Sequence, residues 1–529
     1  MCGIFACYNS NISQESLKSC AERIKHRGPD NTQYLSINEK VFFGFHRLAI
    51  NDMSSNGNQP LILDNKYFLV CNGEIYNHKS LENEYLFKTN SNSDCEVILH
   101  LYKLFGIHKT LELISGYFAF ALYDIEKDSL MFARDPFGVR ALYIANDQNE
   151  SVCVCSELKG IPNEYVKVHQ FPPGSYWQDG NFVQYYDYTF APYNSQNLSL
   201  ESELLEIRNL FTKAVEKRFM LERPFGVFLS GGLDSSLVAA LVAKHNVQPI
   251  HSFSIGLDGS TDLQKARIVA DHIGSIHHEV IVSPEQMLDA IRDVIYQGET
   301  WDTTTVRAMT PMYLLSKYIK ENTDIVVVFS GEGSDEASGS YLYFHNAPND
   351  HAFHQERIRL LKDLCYFDCL RCDKATAGNG LEVRVPFLDR EFMDKYMRLP
   401  IEWMRPKDGM EKWFIRKAFD GTGLLPDEIL WRKKEAFSDG VSSTEKSWFQ
   451  IIQEYVDTQV SDTEYDKNRT TMKPEPALKE SYYYRKIFRE FYPGRDDTIP
   501  YYWLPKWSGD TKDPSARTLS IYHELDSNA

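Results

Sequence analysis

The sequence predicts a protein with a strand-rich first half and an α/β second half. Up to about residue 190, short alternating segments such as residues 41–45 and 117–123 are separated by Gly, Pro and Asn turns, which is typical of antiparallel strands. Beyond that point, apolar runs such as residues 225–229 and 324–329 alternate with helical stretches, as in a parallel sheet covered on both faces. After about residue 350 the sequence becomes mainly helical.

A polar segment without periodicity, residues 191–200, separates the two halves. Apolar residues recur at helical spacing immediately afterwards, from Leu204 to Val215. We therefore expect one domain over residues 1–190 and a second domain over residues 200–529.

The composition excludes several classes of partner. The 529 residues include 57 Lys and Arg against 74 Asp and Glu, a net charge of −17, so neither nucleic acid nor an anionic membrane is expected as the main partner. No apolar run approaches the roughly 20 residues of a membrane span, and the first residues do not resemble a secretory signal. Ten cysteines in such a chain are typical of a reducing compartment. We expect the protein in the cytosol.

Three cysteines, Cys365, Cys369 and Cys372, have a spacing that can hold an iron–sulfur cluster from a loop. The surrounding segment, residues 359–372, has a helical pattern that places the three thiols on one face with apolar neighbours. We therefore expect a helix with a buried cysteine face, because a regular helix does not converge three thiolates on one cluster.

The most specific motif of the second half is Ser-Gly-Gly-Leu-Asp-Ser-Ser at residues 230–236, between a predicted strand and a predicted helix. Gly231 and Gly232 permit close approach of a ligand, while Ser235, Ser236 and the free N–H groups of the helix start can bind an oxyanion such as pyrophosphate. The Lys-Ser/Thr pair of a Walker A loop is missing, which favours attack on the α-phosphorus of a nucleotide with pyrophosphate as leaving group. A glycine turn with a capping serine is the alternative.

A second loop, Ser-Gly-Glu-Gly-Ser-Asp-Glu at residues 330–336, follows another predicted strand. Because ligands of open α/β sheets bind at the carboxyl ends of strands, two such loops can share one nucleotide. Asp234 and Asp335 are candidate ligands of a Mg²⁺ ion that bridges the phosphates. Glu332 is a candidate base, with a merely solvated carboxylate as the alternative.

Cys2 is the candidate nucleophile of the first half. Removal of Met1, which is usual before a small side chain, would leave Cys2 with a thiol and a free α-amine whose pKa of roughly 7.7–8.0 suits a general base. Asn72 and Gly73 lie directly after a predicted strand and can supply neighbouring donors to an oxyanion. The three residues together predict acyl transfer.

Arg47 and Asp94 carry opposite charges suited to the carboxylate and the ammonium of a free amino acid. A surface ion pair is the alternative for each of them. Together with the predicted nucleophile they favour a free amino acid as the acyl substrate.

Eight short motifs, in order, resemble those of glutamine-hydrolysing asparagine synthetases. They are Met-Cys-Gly-Ile-Phe from residue 1, His-Arg-Gly-Pro-Asp from 26, Asn-Gly-Glu-Ile-Tyr-Asn from 72, Arg-Asp-Pro-Phe-Gly from 134, the loops 230–236 and 330–336, Val-Arg-Val-Pro-Phe-Leu-Asp from 383 and Lys-Glu-Ala-Phe-Ser-Asp-Gly from 434. The resemblance covers nearly the whole chain. It implies a class II glutamine amidotransferase domain, an αββα four-layer sandwich of the N-terminal-nucleophile type, followed by a parallel-sheet α/β nucleotide-binding synthetase domain.

The resemblance also implies ATP-dependent synthesis of asparagine from aspartate, with ammonia from glutamine hydrolysis and a β-aspartyl-AMP intermediate. Catalytic roles are implied for Cys2, Asn72, Gly73, Glu332 and Lys434. Glutamine contacts are implied for Arg47, Leu48, Ala49, Ile50, Asn51, Asn72, Gly73, Glu74 and Asp94. ATP contacts are implied for Leu229, Ser230, Gly231, Gly232, Asp234, Ser235, Ser236, Ile255, Ser330 and Gly331. Thr304 and Arg307 resemble contacts of pyrophosphate or aspartate, and ATP and Mg²⁺ are the expected cofactors.

Two other functions stay open at this point: a related ATP-dependent amide or lactam synthetase, and a silent nucleotide-binding regulator. The first typically loses Cys2 or the chemistry of the 330–336 loop, and the second would have broken catalytic positions, yet both sets are intact. One departure is Ser340, where the family usually has glycine, so a local adjustment is expected unless the backbone needs an angle that only glycine tolerates. The expected partners are the small molecules glutamine, aspartate and ATP, and the expected assembly is a homodimer.

Overall fold

The computed structural model describes residues 1–147, 151–443 and 446–522. Its strands are β1 (Gly3–Tyr8), β2 (Asn31–Ile37), β3 (Val41–Arg47), β4 (Leu61–Leu63), β5 (Tyr67–Ile75), β6 (Gly116–Asp124), β7 (Ser129–Arg134), β8 (Tyr143–Asn146), β9 (Val152–Cys155), β10 (Lys167–Gln170), β11 (Ser175–Gln178), β12 (Asn181–Gln184), β13 (Phe225–Phe228), β14 (His251–Gly256), β15 (Ile276–Ile281), β16 (Val327–Phe329) and β17 (Glu382–Arg384).

Its α-helices are α1 (Gln14–Glu22), α2 (His78–Tyr85), α3 (Val97–Leu113), α4 (Leu200–Glu216), α5 (Leu233–His245), α6 (Thr261–Ile273), α7 (Pro284–Gly298), α8 (Thr303–Asn322), α9 (Ser334–Ser338), α10 (Asp350–Asp363), α11 (Asp368–Ala377), α12 (Arg390–Tyr396), α13 (Ile401–Met404), α14 (Trp413–Phe419), α15 (Asp427–Leu430), α16 (Phe437–Gly440), α17 (Trp448–Gln459), α18 (Asp462–Asn468) and α19 (Lys479–Phe491).

The first half consists of two antiparallel sheets between layers of helix. Among the described residues each sheet has six strands, in the orders β10-β8-β9-β1-β3-β2 and β12-β11-β7-β6-β5-β4. Side chains alternate along the strands, so Ile4 and Ala6 of β1 meet Val70 of β5 in a core between the sheets. Helix α1 packs on the outer face of the first sheet, and α2 and α3 pack on that of the second. The αββα sandwich implied by the resemblance is confirmed.

The second half is built on a parallel sheet with the order β15-β14-β13-β16-β17 among the described residues. The apolar runs predicted as strands form β13 and β16, which pair in parallel with Val227 beside Phe329. The strand order reverses between them, because β14 and β15 extend the sheet on the other side of β13. The loops that follow β13 and β16 therefore lie at a topological switch point, where such sheets bind ligands.

The continuous helix expected over residues 359–372 is wrong. Helix α10 ends at Asp363 and α11 begins at Asp368, because Phe367 between them has φ −127° and ψ −93°, outside the helical region. The three cysteines of this segment are nevertheless buried free thiols. The mainly helical region after residue 350 also contributes the short strand β17, which extends the parallel sheet beside β16.

Candidate active sites

Cys2 directly precedes β1, at the boundary between the two halves. Its thiol donates to the carbonyl of Leu48 at 3.7 Å, and burial raises its pKa to about 11. The amine of Met1 is also buried, which lowers its pKa to about 6, and it lies 4.0 Å from Glu382 Oε2 on β17. Burial at this end of β1 therefore favours the neutral form of an N-terminal amine, the form that can accept a proton.

Asn72 and Gly73 lie in the second half of β5, directly before the predicted glutamine ligand Glu74. The Nδ2 atom of Asn72 is buried and has no hydrogen-bond partner among the described residues. A Cβ atom on Gly73 would lie 2.5 Å from the carbonyl oxygen of Tyr117 on β6, so the pairing of these strands accepts no side chain there. An unpaired buried amide is a donor held ready for a ligand, as the predicted oxyanion role requires.

The carboxylates of Glu74 and Asp94 are both buried and are held by different parts of the chain. Asn51 Nδ2 donates to Glu74 Oε2 at 2.5 Å, and the backbone N–H of Ile75 donates to Asp94 Oδ2 at 2.5 Å. Burial raises the pKa of both carboxyls, and for Glu74 the neighbouring carboxylates raise it further. Two carboxylates without enough cations around them form a site for a cationic group such as an ammonium.

Arg47, at the end of β3, has its guanidinium fixed on the loop that follows. It donates to the carbonyl of Ser54 at 2.7 Å, to Asn58 Oδ1 at 2.8 Å and to the carbonyl of Asp52. The structure therefore shows Arg47 organising this loop. The predicted glutamine contacts between Arg47 and this turn follow β3 directly: Leu48, Ala49, Ile50 and Asn51.

Leu48 and Ile50 also join the two halves of the molecule. They form a buried cluster with Val326 and Val327 of the parallel sheet in the second half. Ala49 between them is fixed by its backbone N–H, which donates to Asp30 Oδ2 at 2.9 Å. The predicted glutamine site therefore lies against the parallel sheet of the second half.

The loops after β13 and β16 are in direct contact. Gly231 has φ +71°, and a Cβ atom there would lie 2.4 Å from the backbone nitrogen of Ala266. A Cβ atom on Gly331 would lie 2.8 Å from the carbonyl carbon of Asp234. Ser334 donates to Asp234 Oδ1 at 2.8 Å. Only glycine permits the approach of the first loop to α6 at Gly231 and the approach of the two loops to each other at Gly331. The two loops together form one wall of a cavity.

Most of the predicted ATP and catalytic residues of the second half line this cavity. The lining includes Leu229, Ser230, Gly232, Asp234, Ser235, Ile255, Thr304, Ser330, Gly331, Glu332, Asp335 and Lys434. Gly231 and Ser236 lie behind the wall, and Ser236 Oγ is buried with no hydrogen-bond partner among the described residues. These residues come from the carboxyl ends of β13, β14 and β16, from α5, α8 and α9, and from the segment after α15, and they meet only in the fold.

Arg307 is a predicted substrate contact whose charge is directed away from the cavity. Its guanidinium forms a buried ion pair with Glu480 at 2.6 Å and a second ion pair with Asp513 at 2.8 Å. Glu480 lies on α19, and Asp513 lies in the segment that follows it. The two ion pairs fix this C-terminal region on α8. The structure does not bring Arg307 into the cavity.

Lys412 is a cavity residue that the sequence analysis missed. Its Nζ lies 2.5 Å from Asp234 Oδ2 and 2.5 Å from Asp335 Oδ1, and Lys434 Nζ donates to Asp335 Oδ2 at 2.6 Å. Burial opposes ionisation of Asp335, but the two lysines hold its pKa well below the usual range. Lys412 has a left-handed φ of +58° in the structure. The sequence around it contains no motif that identifies it as a cavity residue.

Glu332 has a base-like environment. Burial raises its pKa to about 7, while Arg371 on α11, whose Nη2 donates to Glu332 Oε2 at 2.7 Å, opposes the shift. Asp368 pairs with the same guanidinium at 2.9 Å. A carboxylate that titrates near neutral pH can accept a proton from a nucleophile and release it again. Arg371, like Lys412, was not predicted, because neither residue lies in a recognisable motif.

Ser340 has no positive φ, so the backbone does not need glycine at this position. Its hydroxyl donates to Asp335 Oδ1 at 2.6 Å, and its backbone N–H donates to the carbonyl of Asp335 at 3.1 Å. The serine therefore adds one hydrogen bond to a carboxylate of the cavity.

Comparison with known proteins gives a consistent result over the whole chain. A family described as glutamine amidotransferase domain matches residues 1–181, and a family described as asparagine synthase matches residues 206–352 and 345–519. The chain is 45% identical over 558 aligned residues to asparagine synthetase (glutamine-hydrolyzing) of Gallus gallus, with 99% of each chain covered. It is 44% identical over 558 aligned residues to the protein of the same name of Homo sapiens, with the same coverage.

The similar solved structures are much more distant. A glutamine phosphoribosylpyrophosphate amidotransferase from B. subtilis has a TM-score of 0.31 and 15% identity, covering 53% of this chain and 82% of its own. An NMN synthetase from Francisella tularensis has a TM-score of 0.25 and 14% identity, covering 58% of this chain and 99% of its own. Neither similarity is high enough to carry an inference. Within the described residues, no helix has the length and apolar character needed to cross a membrane.

Proposed function

Since this chain belongs to the glutamine-hydrolysing asparagine synthetases, we propose that its two halves divide the reaction between two active sites. The chain makes asparagine from aspartate with nitrogen from glutamine, in a reaction that uses ATP. The proposed glutaminase domain is residues 1–190 and the proposed synthetase domain is residues 200–529. Ammonia released in the first site is consumed in the second.

In the glutaminase site, Cys2 attacks the side-chain amide carbon of glutamine after Met1 has been removed. The freed α-amine takes the thiol proton, and Asn72 Nδ2 with the N–H of Gly73 stabilises the oxyanion. The amide nitrogen leaves as ammonia with that proton, and water then cleaves the thioester to give glutamate. The unpaired buried amide of Asn72 supports this assignment.

The glutamine itself is held by charge. Glu74 and Asp94 bind its ammonium group, and Arg47 binds its carboxylate directly or orders the loop that does so. The segment Leu48–Asn51 lies between them, and Asn51 is already hydrogen-bonded to Glu74. The rest of the substrate then extends toward Cys2, whose thiol contacts the carbonyl of Leu48.

In the synthetase site, the side-chain carboxylate of aspartate attacks the α-phosphorus of ATP, pyrophosphate leaves and β-aspartyl-AMP forms. Leu229, Ile255, Ser330 and Gly331 surround the nucleotide, and the 230–236 loop holds the phosphates. Lys434 offsets the charge that develops on them. Ammonia then attacks the acyl carbon, Glu332 accepts a proton and AMP leaves.

Mg²⁺ fits the carboxylates of this site. Asp234, in the first turn of α5, and Asp335, in the first turn of α9, both contact Lys412 Nζ. Mg²⁺ typically takes one or two carboxylates together with phosphate oxygens, so these two side chains would hold it. When bound, the ion would neutralise charge on the pyrophosphate. Thr304, whose hydroxyl is buried in the cavity wall without a partner among the described residues, remains a predicted contact of pyrophosphate or aspartate.

The observation that carries this proposal is the contact of two serine–glycine loops around one cavity that holds a carboxyl with a pKa near 7. The test is to incubate the protein with ATP, aspartate and ammonia and to identify the nucleotide product. AMP and pyrophosphate are expected, in amounts equal to the asparagine formed. ADP and phosphate would refute attack at the α-phosphorus.

We also propose a cytosolic location and a homodimer. All ten cysteines are free thiols, nine of them buried, which fits a reducing compartment. Fractionation of cells tests the location, and light scattering of the purified protein tests the homodimer.

A further inference from the structure

Arg384 is a residue of the synthetase sheet whose side chain reaches the glutaminase site. It lies at the end of β17, it is completely buried, and its Nη2 lies 3.3 Å from Glu74 Oε2. Its Nε donates to Glu382 Oε1 at 2.9 Å, and its Nη1 donates to the carbonyls of Arg218 at 2.5 Å and Met220 at 2.8 Å. The guanidinium is therefore fixed on two sides, and its remaining nitrogen is directed at Glu74.

The backbone of the same residue supports the synthetase site. The carbonyl of Arg384 accepts a hydrogen bond from the N–H of Ser330 at 2.9 Å, and Arg384 is paired with Phe329 across β16 and β17. Ser330 is the first residue of the loop that carries Glu332. One residue thus contacts the nucleotide loop through its main chain and the glutamine site through its side chain.

We propose that Arg384 is a positioning residue of the glutaminase site: from the synthetase half, it orients the Glu74 carboxylate for the ammonium group of glutamine. The inference rests on the proposed role of Glu74 as a glutamine ligand. Arg384 Nη2 makes no hydrogen bond among the described residues, so its interaction with Glu74 is that of a fixed charge. A side chain held at both ends in this way is preorganised and gives up little entropy when the substrate binds.

The charges around Glu74 explain why it needs this partner. Burial, Glu382 and Asp94 raise the pKa of Glu74, whereas Arg384 and Arg140 oppose the rise. The other titratable groups that face it are Cys2, Tyr76 and Cys95. Loss of Arg384 would leave Glu74 beside two carboxylates with one buried arginine. The carboxyl would then take up a proton at a higher pH and lose the charge that binds an ammonium.

The test is Arg384→Met, with glutamine hydrolysis and ammonia-dependent synthesis measured separately. We expect the glutamine KM to rise about tenfold with kcat within about threefold, because the residue supplies orientation and not chemistry. The acid limb of kcat/KM for glutamine should move to higher pH, and ammonia-dependent synthesis should stay within about twofold. Arg390→Met is the matched control, since Arg390 donates across the same interface to the carbonyl of Glu112 and contacts neither site; it should leave both reactions unchanged.

Glu74→Gln separates this inference from the proposal on which it rests. An unchanged glutamine KM in Glu74→Gln would refute the role of Glu74 itself. A raised KM in Glu74→Gln with an unchanged KM in Arg384→Met would refute the positioning role alone. Equal damage to both reactions in Arg384→Met would show a merely structural residue. The double variant should have a glutamine KM no higher than that of Glu74→Gln, because the two substitutions remove the same interaction.

Arg384→Lys decides the question if the methionine variant does not fold. The lysine keeps the charge, so the acid limb should stay at its wild-type pH. A single ammonium cannot contact Glu74 and Glu382 in the fixed geometry of the guanidinium, so the glutamine KM should still rise about threefold. An unchanged KM in a folded Arg384→Lys protein would overturn the proposal.

Discussion

The pKa values of carboxyl groups are shifted in opposite directions in the two proposed active sites. In the glutaminase half, Glu74 and Asp94 are buried within and beside an antiparallel sheet with too few cations, and burial raises the pKa of both. In the synthetase half, Asp335 is partly buried, and Lys412 and Lys434 hold its pKa well below the usual range. The first arrangement is suited to attract a cationic group, and the second keeps a permanent negative charge, as the proposed Mg²⁺ site requires.

The location of each site in its fold explains the difference. Asn72, Gly73 and Glu74 lie inside β5, whose backbone is paired with β6, and the guanidinium nearest Glu74 comes from β17 of the other half. The synthetase cavity is bordered by loops after β13 and β16, and lysines from distant parts of the chain reach into it. Loops at a switch point accept such additions more readily than the interior of a paired strand does.

The largest expected effect separates the two sites completely. Cys2→Ala should abolish glutamine hydrolysis and glutamine-dependent synthesis, because the nucleophilic thiol is lost. Ammonia-dependent synthesis should stay within about twofold, since the second site forms its own intermediate. Both rates are measured on one preparation, with asparagine and glutamate quantified. Loss of the ammonia-dependent rate in a folded protein would contradict the independence of the sites.

The reverse experiment removes a charge from the synthetase site. Lys434→Ala should lower aspartate-dependent ATP–pyrophosphate exchange about 100-fold, because the lysine offsets charge on the phosphates as the adenylate forms. Glutamine hydrolysis should be unaffected. Glu332→Gln gives the useful contrast, since it should still form the adenylate yet fail to convert it to asparagine. Normal exchange in Lys434→Ala would remove this lysine from the first step.

Asp94→Asn tests the carboxylates of the glutaminase half. The amide keeps the shape of the side chain and its acceptor for the N–H of Ile75 but loses the charge, so the glutamine KM should rise about tenfold. The rate with saturating ammonia should not change. Asp64→Asn, an exposed residue of the same half that pairs with Lys103, is the control and should behave like the wild type. A parallel loss of ammonia-dependent synthesis in Asp94→Asn would indicate damage to the fold.

The pH dependence distinguishes the two steps within the synthetase site. Glu332 acts as a base only when ionised, and its pKa is about 7, so amide formation at a fixed concentration of free ammonia should fall about tenfold per pH unit below that value. ATP–pyrophosphate exchange should lack this limb, because Asp335 stays ionised throughout. Stopped-flow or quench measurements of the two steps between pH 5.5 and 8, roughly the range that brackets this titration, check the prediction. A common limb in both steps would contradict it.

Ser340→Gly should have the smallest effect. It removes the hydroxyl that donates to Asp335 Oδ1, while the two lysines keep the carboxylate in place, so exchange should fall only about threefold. Ser340→Ala should give the same result, because the backbone here has no left-handed φ. A much larger loss in the glycine variant than in the alanine variant would show that backbone rigidity matters more than the hydroxyl.

The sequence by itself determined the two-part architecture and most of the chemistry. Alternating segments at β3 and β6 and the continuous apolar runs at β13 and β16 are local patterns, and burial on one face or on both faces produces them directly. The serine–glycine loops and the Asn72–Gly73 pair were recognisable because their proposed functions use free backbone N–H groups, a missing Cβ atom and the amide of Asn72, which are adjacent in the chain. Such sites can be recognised from the sequence because their residues occupy neighbouring positions in the chain.

Only the tertiary structure decided which isolated charges belong to which site. Lys412 and Arg371 lie in no recognisable motif, and the motif from residue 383 assigns no role to Arg384. The contacts of these three residues are with carboxylates far away in the sequence: Asp234, Glu332 and Glu74, respectively. Conversely, the resemblance implies a substrate contact for Arg307, and only the fold shows that its guanidinium pairs with Glu480 and Asp513. The role of a charged side chain depends on the partners that lie within a few ångströms of its charge. For long side chains, packing determines those partners and sequence order does not.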